Sequence, residues 1–349
     1  MAHYLIIGQG IAGTVLAYTL LQRGHQVQII DNDQPQTASK VAAGLFNPVT
    51  GYRMVKTWLA DQLFPFLQAF YPALEAYLEA KFFYPLPMYR PFESVAQQNE
   101  VLAEISDEKF AAYVEKTFFP NEYGKKIKDP FGGVLLKKSG YVNLPVMLSA
   151  ARKKWQADNI LHNATFSEAQ VELDKEKVHY QGMAVDYLVL CRGWQETQSS
   201  WFALPFRPVK GEILQVRFTD ETYGHIINRS CWILPQPDQS YRIGATYYPQ
   251  DVSLEPSLKG RQELTAKLHS LTGAKWEIMG HLAGVRPATF DRRPFIGLHP
   301  VYRRVCIFNG LGSKGVSLAP YFAAVLADFL EGKTQFLPKE VDIARCGRI

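Results

Sequence analysis

Apolar and polar positions set two periods at the start of the chain. Residues 4–7 are an unbroken apolar run, which predicts a buried strand. Residues 14–23 carry apolar side chains at helical spacing and stop at Gly24, where a left-handed C-cap is easily formed. Residues 27–30 predict a second buried strand that ends at Asp31. Strand, turn, helix and strand in this order make a βαβ unit, and such a unit requires a parallel sheet.

Residues 56–80 continue with a long amphipathic pattern in which Pro65 and Pro72 are expected breaks. Residues 84–90 read as extended, 94–104 and 108–116 as helical, 133–138 as a strand and 144–156 as a helix. From 160 to 190 the chain is a run of short strands ending in Tyr187-Leu188-Val189-Leu190. A second β-rich stretch covers 211–218, 225–234 and 241–247, followed by a helix over 258–271 and an extended segment over 276–285. Residues 305–308 predict one more buried strand, 310–315 a glycine-rich turn and 316–330 a closing helix. The strand-rich middle interrupts a nucleotide fold whose first and last pieces lie at the two ends. The expected class is α/β, with a Rossmann-like domain from 1–82, 139–206 and 290–349 and a second, α+β domain from 83–138 and 207–289.

Composition narrows the partners. With 349 residues, 47% apolar and 20% charged, the chain reads as a globular protein of about two domains. The net charge of +5 is scattered. Its densest groups, Lys125-Lys126-Ile127-Lys128, Lys137-Lys138 and Arg152-Lys153-Lys154, read as solvated faces and not as a nucleic-acid stripe. Cys191, Cys231, Cys306 and Cys346 form no CxxC pair, which predicts free thiols in a reducing cytoplasm and no zinc site. The dispersed histidines show no metal spacing, so no metal is expected. No apolar run reaches the roughly 18 residues of a membrane span, since 316–330 contains Pro320 and Asp328. The N-terminus enters a strand directly, without the basic region and cleavage site of a signal peptide.

The chemistry starts at Gly8-Gln9-Gly10-Ile11-Ala12-Gly13, a GxGxxG turn between the first strand and helix. Gly8 permits the tight turn, Gly10 lets a pyrophosphate approach the backbone, and Gly13 lets the helix pack on the strand. The helix N-terminus at Ile11 and Ala12 offers free N–H groups and a positive dipole end to phosphates. Asp31 stands where an acidic side chain binds the adenosine ribose hydroxyls. NAD and FAD share this fingerprint. The next segment, Ser39-Lys40-Val41-Ala42-Ala43-Gly44-Leu45, is small and near-neutral where a plain NAD domain would continue with another βα unit. Either its small residues let a bulky planar group lie against the backbone, or it is an ordinary loop.

Five motifs in one order give the chain a resemblance to the D-amino acid oxidase superfamily of FAD-dependent oxidoreductases, which includes glycine oxidase and sarcosine oxidase. They are Ser-x-x-Ala-Ala-Gly at 39–44, an apolar strand running into Gly193 and Trp194, Pro-Val-x-Gly-x-x-Leu at 208–214, Gly-x-Arg-Pro…Asp-x-x-Pro-x-Ile-Gly at 284–297, and Gly-x-Gly-x-x-Gly…Ala-Pro at 310–320. The resemblance implies a dinucleotide-binding domain joined to a substrate domain on a mixed β-sheet. It implies FAD held along the βαβ unit without a covalent bond, because no cysteine here stands in a motif that matches the covalent relatives. Cys191 and Gly193 would lie beside the cofactor, and Phe166 falls where the family contacts adenine through a valine backbone.

The same resemblance assigns candidate roles. Arg286 would pair with a substrate carboxylate through its fork of donors; the alternative is a structural salt bridge with Asp291. Gly310, Gly312, Ser313, Lys314, Gly315 and Val316 would place a helix N-terminus under the flavin N1 and C2 carbonyl, where N–H groups stabilise an anionic reduced ring. Lys314 either adds a fixed charge there or faces solvent. Trp232 falls where relatives place a substrate-contacting tyrosine, or it is a core residue. The polar segment from Asn47 to Arg53 either lines the pocket or is a plain turn. Ser313 replaces an arginine of glycine oxidase, which leaves the substrate open.

The implied activity is oxidation of a C–N bond in a small amine or amino acid. Hydride passes to flavin N5, the imine hydrolyses and oxygen reoxidises the flavin. Three other readings stay open: a dehydrogenase that uses a non-oxygen acceptor, an FAD enzyme acting on a modified tRNA base, and a flavin redox sensor without turnover.

Overall fold

The computed structural model describes residues 1–105, 108–124 and 126–347. Lys125, the first residue of the basic group at 125–128, lies outside the described residues. The first strand, His3–Ile7, sits inside a six-stranded sheet whose order is Leu161–Asn163, Gln26–Asp31, His3–Ile7, Tyr187–Leu190, Val305–Asn309, Phe295–Leu298. All neighbours run parallel except the last pair. The central strands are covered on both faces, which explains their continuous apolar sequences. One face carries the helices Ile11–Gln22, Ala60–Leu78, Leu144–Ala157 and Gly315–Leu330. The other packs against the three-stranded meander Val171–Leu173, Val178–Tyr180, Met183–Val185 and the rings of Phe202 and Phe206.

A nine-stranded mixed sheet forms the second layer. Its long strand Val209–Phe218 pairs along its length with Trp276–Arg286, and on the other side with Tyr241–Gly244 and Tyr248–Pro249. Trp232–Pro235, Ile226–Asn228, Met88–Pro91, Gly133–Leu136 and Val114–Phe118 complete it. Only Ile226–Asn228 and Met88–Pro91 run parallel. One face is sealed by helix Leu258–Leu271, whose Leu264, Leu268 and Leu271 pack on Leu214, Val216, Ile233 and Ile243. The alternate residues of the same strands face the nucleotide-binding layer. A small sheet of Leu45–Phe46, Gly140–Val142 and Phe83–Pro85 joins the two layers.

Two local expectations are corrected. Pro65 and Pro72 do not break the helix, which runs unbroken over Ala60–Leu78. Both prolines lie on its exposed face, so the carbonyls that lose an N–H partner turn toward water, while Leu63, Phe64, Leu67, Tyr71, Leu74 and Leu78 bury the opposite stripe. Residues 108–116 are not one helix: Glu108–Ala111 is a single turn, and Val114–Phe118 adds an edge strand to Gly133–Leu136. The stretch 225–234 is two strands of a hairpin, Ile226–Asn228 and Trp232–Pro235. All four cysteines are unpaired. Among the described residues, no helix is long and apolar enough to cross a membrane.

Charge ties the first helix to the last. Arg23 reaches Asp328 at 2.7 Å and Glu331 at 3.0 Å, and His25 Nε2 lies 2.8 Å from Glu331. Burial opposes ionisation of Glu331, but Lys333, His25 and Arg23 outweigh it and hold the carboxyl down at about 2. A depressed carboxylate stabilises the fold above its unfolded value and loses that contribution as pH falls through the folded one. Glu331→Gln is expected to lower stability at neutral pH by about 1 kcal/mol. In urea melts the gap from wild type should close as pH falls from 4.5 toward about 2.

Candidate active site

The carboxyl ends of His3–Ile7, Gln26–Asp31 and Tyr187–Leu190 meet at one edge of the parallel sheet. Open parallel sheets bind ligands at this edge. A cavity of about 470 Å³ lies there, between the glycine turn and the inner face of the mixed sheet. Its size is that of a small-molecule or cofactor cleft.

The glycine turn forms the floor. Gly8, Gly10, Ile11 and Ala12 line the cavity. The Ile11 N–H donates to Ser39 Oγ at 3.0 Å, so a residue of the next segment satisfies the first free donor of the helix. Gly13 acts one layer below: a Cβ there would stand 1.9 Å from the Gly8 carbonyl oxygen, so only glycine lets the helix approach the strand. Asp31 accepts from the Gln9 N–H at 2.8 Å and the Asp33 N–H at 2.9 Å, and it lines the cavity. The carboxylate also pairs with Arg152, whose Nε donates to Gln9 Oε1 at 3.1 Å. Arg152 is thus not a solvated-face residue. It lies largely buried under the turn, 121 positions from Asp31, where no local signal could place it.

The segment after the second strand forms one wall. Thr37 caps the short helix Ala38–Val41, and Ser39, Ala42, Ala43, Gly44 and Leu45 line the cavity. Gly44 has φ +70°, and a Cβ there would stand 1.9 Å from the Val142 oxygen. Arg242, on the mixed sheet, donates to the Ala42 carbonyl at 3.1 Å and fixes this wall from the other layer. Phe166, Cys191 and Gly193 line the cavity, together with Arg192. Arg192 is neutralised by Glu168 at 2.6 Å.

The inner face of the mixed sheet is shaped by two glycines. Gly211 pairs with Gly284, and a Cβ on Gly211 would stand 2.1 Å from Arg286 Nη2. Gly244 pairs with Trp232, and a Cβ there would stand 2.5 Å from the indole ring. The missing side chains make room for the guanidinium and the indole, and both Arg286 and Trp232 line the cavity. Trp232 is therefore a wall residue. Arg286 Nη1 reaches only the carbonyls of Lys210 at 3.5 Å and Thr246 at 3.4 Å. Asp291, its alternative partner, is taken by Arg345 at 2.8 Å. Among the described residues Arg286 has no carboxylate partner, and burial pushes its pKa down. Such a guanidinium is set to take an anion.

At the start of the closing helix, Gly312, Ser313, Gly315 and Val316 line the cavity. Gly310 does not; a Cβ there would meet the Thr289 methyl at 2.6 Å, so its role is packing. Lys314 is also absent from the wall. It is the N-cap residue of the helix, and burial, then Arg293 and Arg292, lower its pKa. The segment from Asn47 to Arg53 is a turn and not part of the wall. It holds the hairpin Val49–Thr50 with Val55–Lys56, pinned by Arg90 Nη2 to the Gly51 carbonyl at 3.0 Å and by Gln97 to the Tyr52 carbonyl at 2.6 Å.

This donor set fits a flavin dinucleotide. Backbone N–H groups without obstructing Cβ atoms stand at a helix N-terminus for a pyrophosphate, and a carboxylate stands at the second strand's end for a ribose. The remaining wall is uncharged apart from Arg192 and Arg286.

Comparison with known proteins agrees with the geometry. Residues 3–329 match the family model described as FAD dependent oxidoreductase. The chain is 33% identical to glycine oxidase from Bacillus subtilis, over 37% of this chain and 36% of that protein. It is 23% identical to the tRNA 5-methylaminomethyl-2-thiouridine biosynthesis bifunctional protein of Pseudoalteromonas atlantica, over 97% of this chain and 57% of that one. These matches span about a third of the glycine oxidase and little more than half of the bifunctional protein. Among solved structures, glycine oxidase from Bacillus cereus superposes with a TM-score of 0.80 at 22% identity, covering 96% of each chain. L-proline dehydrogenase from P. horikoshii superposes with a TM-score of 0.79 at 14% identity, covering 99% of this chain and 97% of that one. The chain belongs to the FAD dependent oxidoreductase family of the D-amino acid oxidase type, and it is an α/β flavoenzyme with a Rossmann-like domain and FAD as its cofactor.

Proposed function

We propose that this enzyme oxidises the C–N bond of a small amine or amino acid whose carboxylate is held by Arg286. One observation carries the reading: a largely buried guanidinium without a counter-ion lines the same cavity as the dinucleotide turn. The likeness to glycine oxidase, a protein named for an amino-acid substrate, supports it.

FAD, when bound, supplies a hydride acceptor at N5 for the substrate carbon, after which the imine is hydrolysed and oxygen or another acceptor takes the electrons. Everything else falls to the chain. The N–H groups of Gly10 and Ala12 would hold the pyrophosphate, because that of Gly8 is taken by the Ile30 carbonyl and that of Ile11 by Ser39 Oγ, and Asp31 would hold the ribose. The wall of Ala42 to Leu45 and the helix start at Gly312 to Val316 would flank the ring, with the free N–H groups of that helix favouring negative charge. Arg286 would fix the carboxylate, and Trp232 and Ile213 would exclude water from the reacting carbon. Attachment would be non-covalent: burial, then Cys306 and Glu196, push the Cys191 thiol well up, so it offers no thiolate. In this reading 1–82, 139–206 and 290–349 form the FAD-binding body and 83–138 and 207–289 the substrate body. Four unpaired cysteines suit a reducing, cytoplasmic setting.

A second reading, an FAD enzyme acting on an amine borne by tRNA, has one observation in its favour. The tRNA-modifying relative matches 97% of this chain, against 37% for glycine oxidase.

FAD-loaded protein should be yellow and should bleach anaerobically with a true substrate. Arg286→Ala is expected to raise KM for carboxylate substrates by about 100-fold while leaving amines without a carboxylate within a few-fold. Equal loss on both sets would refute the assigned role. Asp31→Ala and Arg152→Ala should each weaken FAD binding by about 10-fold in fluorescence titrations; unchanged affinity would show that neither supports the ribose end.

A further inference from the structure

Arg286 shares a neighbour with another part of the cavity wall. Its Nη1 donates to the Lys210 carbonyl at 3.5 Å. The side chain of Lys210 is buried, and its ammonium donates to Ser253 Oγ at 2.8 Å and to the Glu255 carbonyl at 2.7 Å. Ser253 and Glu255 flank Leu254, and Leu254 lines the cavity together with Arg286, Ile213 and Trp232. One residue thus touches the guanidinium through its backbone and brackets Leu254 through its side chain.

Leu254 belongs to a strap between the edge strand Tyr248–Pro249 and the helix Leu258–Leu271. The strap is fixed at both ends. The Gln250 N–H donates to the Pro208 carbonyl at 3.0 Å, and the Ser257 N–H and hydroxyl donate to the Glu212 carboxylate at 2.9 and 2.8 Å. Among the described residues no backbone–backbone hydrogen bond holds residues 251–256 to the sheet. Their place is set by side chains. The Ser253 hydroxyl donates to Asp251 at 2.7 Å, which leaves its lone pairs to accept from Lys210. The carboxylates of Glu212 and Asp251 each stand 3.4 Å from the ammonium. Burial penalises an unpaired charge, so Lys210 keeps these partners and is held in one place, and Leu254 with it.

We propose that Leu254 limits the length of the substrate beside Arg286, and that Lys210 is the positioning residue that keeps it there. The proposal rests on the reading that Arg286 takes a substrate carboxylate. With that carboxylate on the guanidinium, the rest of the substrate shares the cavity with Leu254. A branched aliphatic side chain gives a short chain contact and a longer one no room. An apolar wall of this kind discriminates by roughly 10-fold or more per misplaced methylene. Lys210 touches no substrate in this assignment and acts through Leu254.

The test uses the FAD-loaded full chain and acids that carry no amine to oxidise. Acetate, butanoate and hexanoate are titrated while the flavin absorption spectrum is followed. Leu254→Ala should raise the ratio of hexanoate to acetate affinity about 10-fold with acetate affinity nearly unchanged, and Leu254→Phe should lower the ratio. Lys210→Met should raise it in the same direction as Leu254→Ala and add nothing in the double variant, since no side chain is then left to position. Ser253→Ala, a change at an exposed residue, opens the same bracket without disturbing the buried charges and should also raise the ratio, whereas Ser253→Thr keeps the hydroxyl and the wild-type ratio. An unmoved or lowered ratio in Leu254→Ala would overturn the proposal. A lower melting temperature with an unmoved ratio in Lys210→Met and Ser253→Ala would make Lys210 a structural cross-link only, and additive effects in the double variant would equally remove its positioning role. The two readings fail separately. If Arg286→Ala leaves acetate affinity unchanged, the carboxylate reading falls and this proposal with it; if Arg286→Ala loses acetate but Leu254→Ala leaves the ratio unmoved, this proposal falls alone. If the ratio moves as expected but no amine or amino acid bleaches the flavin, the wall assignment stands and the oxidation falls.

Discussion

The structure depends on the pairing of His3–Ile7 between Gln26–Asp31 and Tyr187–Leu190. Pairing of the first two is local, but the third strand arrives from far along the chain. Parallel alignment brings three carboxyl ends to one edge, and helices cover one face of the sheet while a meander and aromatic rings cover the other. In the glycine turn and first helix turn the N–H groups of Gly8, Gln9 and Ile11 find partners in Ile30, Asp31 and Ser39, and those of Gly10 and Ala12 are left to a ligand. A site for phosphates follows from the pairing itself, before any side chain contributes.

The second layer supplies what the first lacks. A sheet face would ordinarily present a full row of side chains. Here Gly211 and Gly244 leave hollows, and Arg286 and Trp232 fill them from neighbouring strands. The two layers are held in register by direct contacts at the cavity wall, with Arg242 on the Ala42 carbonyl and Gly284 against Val41. A shift of either layer would therefore alter the wall, so the geometries of the two layers are coupled mechanically.

Charge is distributed unevenly along the cavity. Asp31 pairs with Arg152, and Arg192 pairs with Glu168. Arg286 is left without an acid among the described residues, because Arg345 takes Asp291. Balanced pairs hold a fold in place, whereas unbalanced charge at a cavity is a capacity for ligand. The Arg286 wall is the unbalanced one.

Much of this could be read from residues in sequence. The βαβ unit, the glycine turn, Asp31 and the small-residue segment at 39–45 announce themselves because period, turn chemistry and side-chain size are local properties. The places of Gly44 and Gly312 follow from the same kind of signal. Other features depended on parts of the chain that meet only after folding. Pro65 and Pro72 stay within a helix because both face water. Val114–Phe118 becomes a strand because Gly133–Leu136 offers an edge. Arg152 reaches Asp31, Arg345 removes Asp291 from Arg286, and Lys314 stands off the cavity wall among arginines. Backbone conformation answers to neighbouring residues, so its pattern is written in order along the chain. The partner of a charge is set by three-dimensional proximity and burial, and these exist only once distant segments have packed.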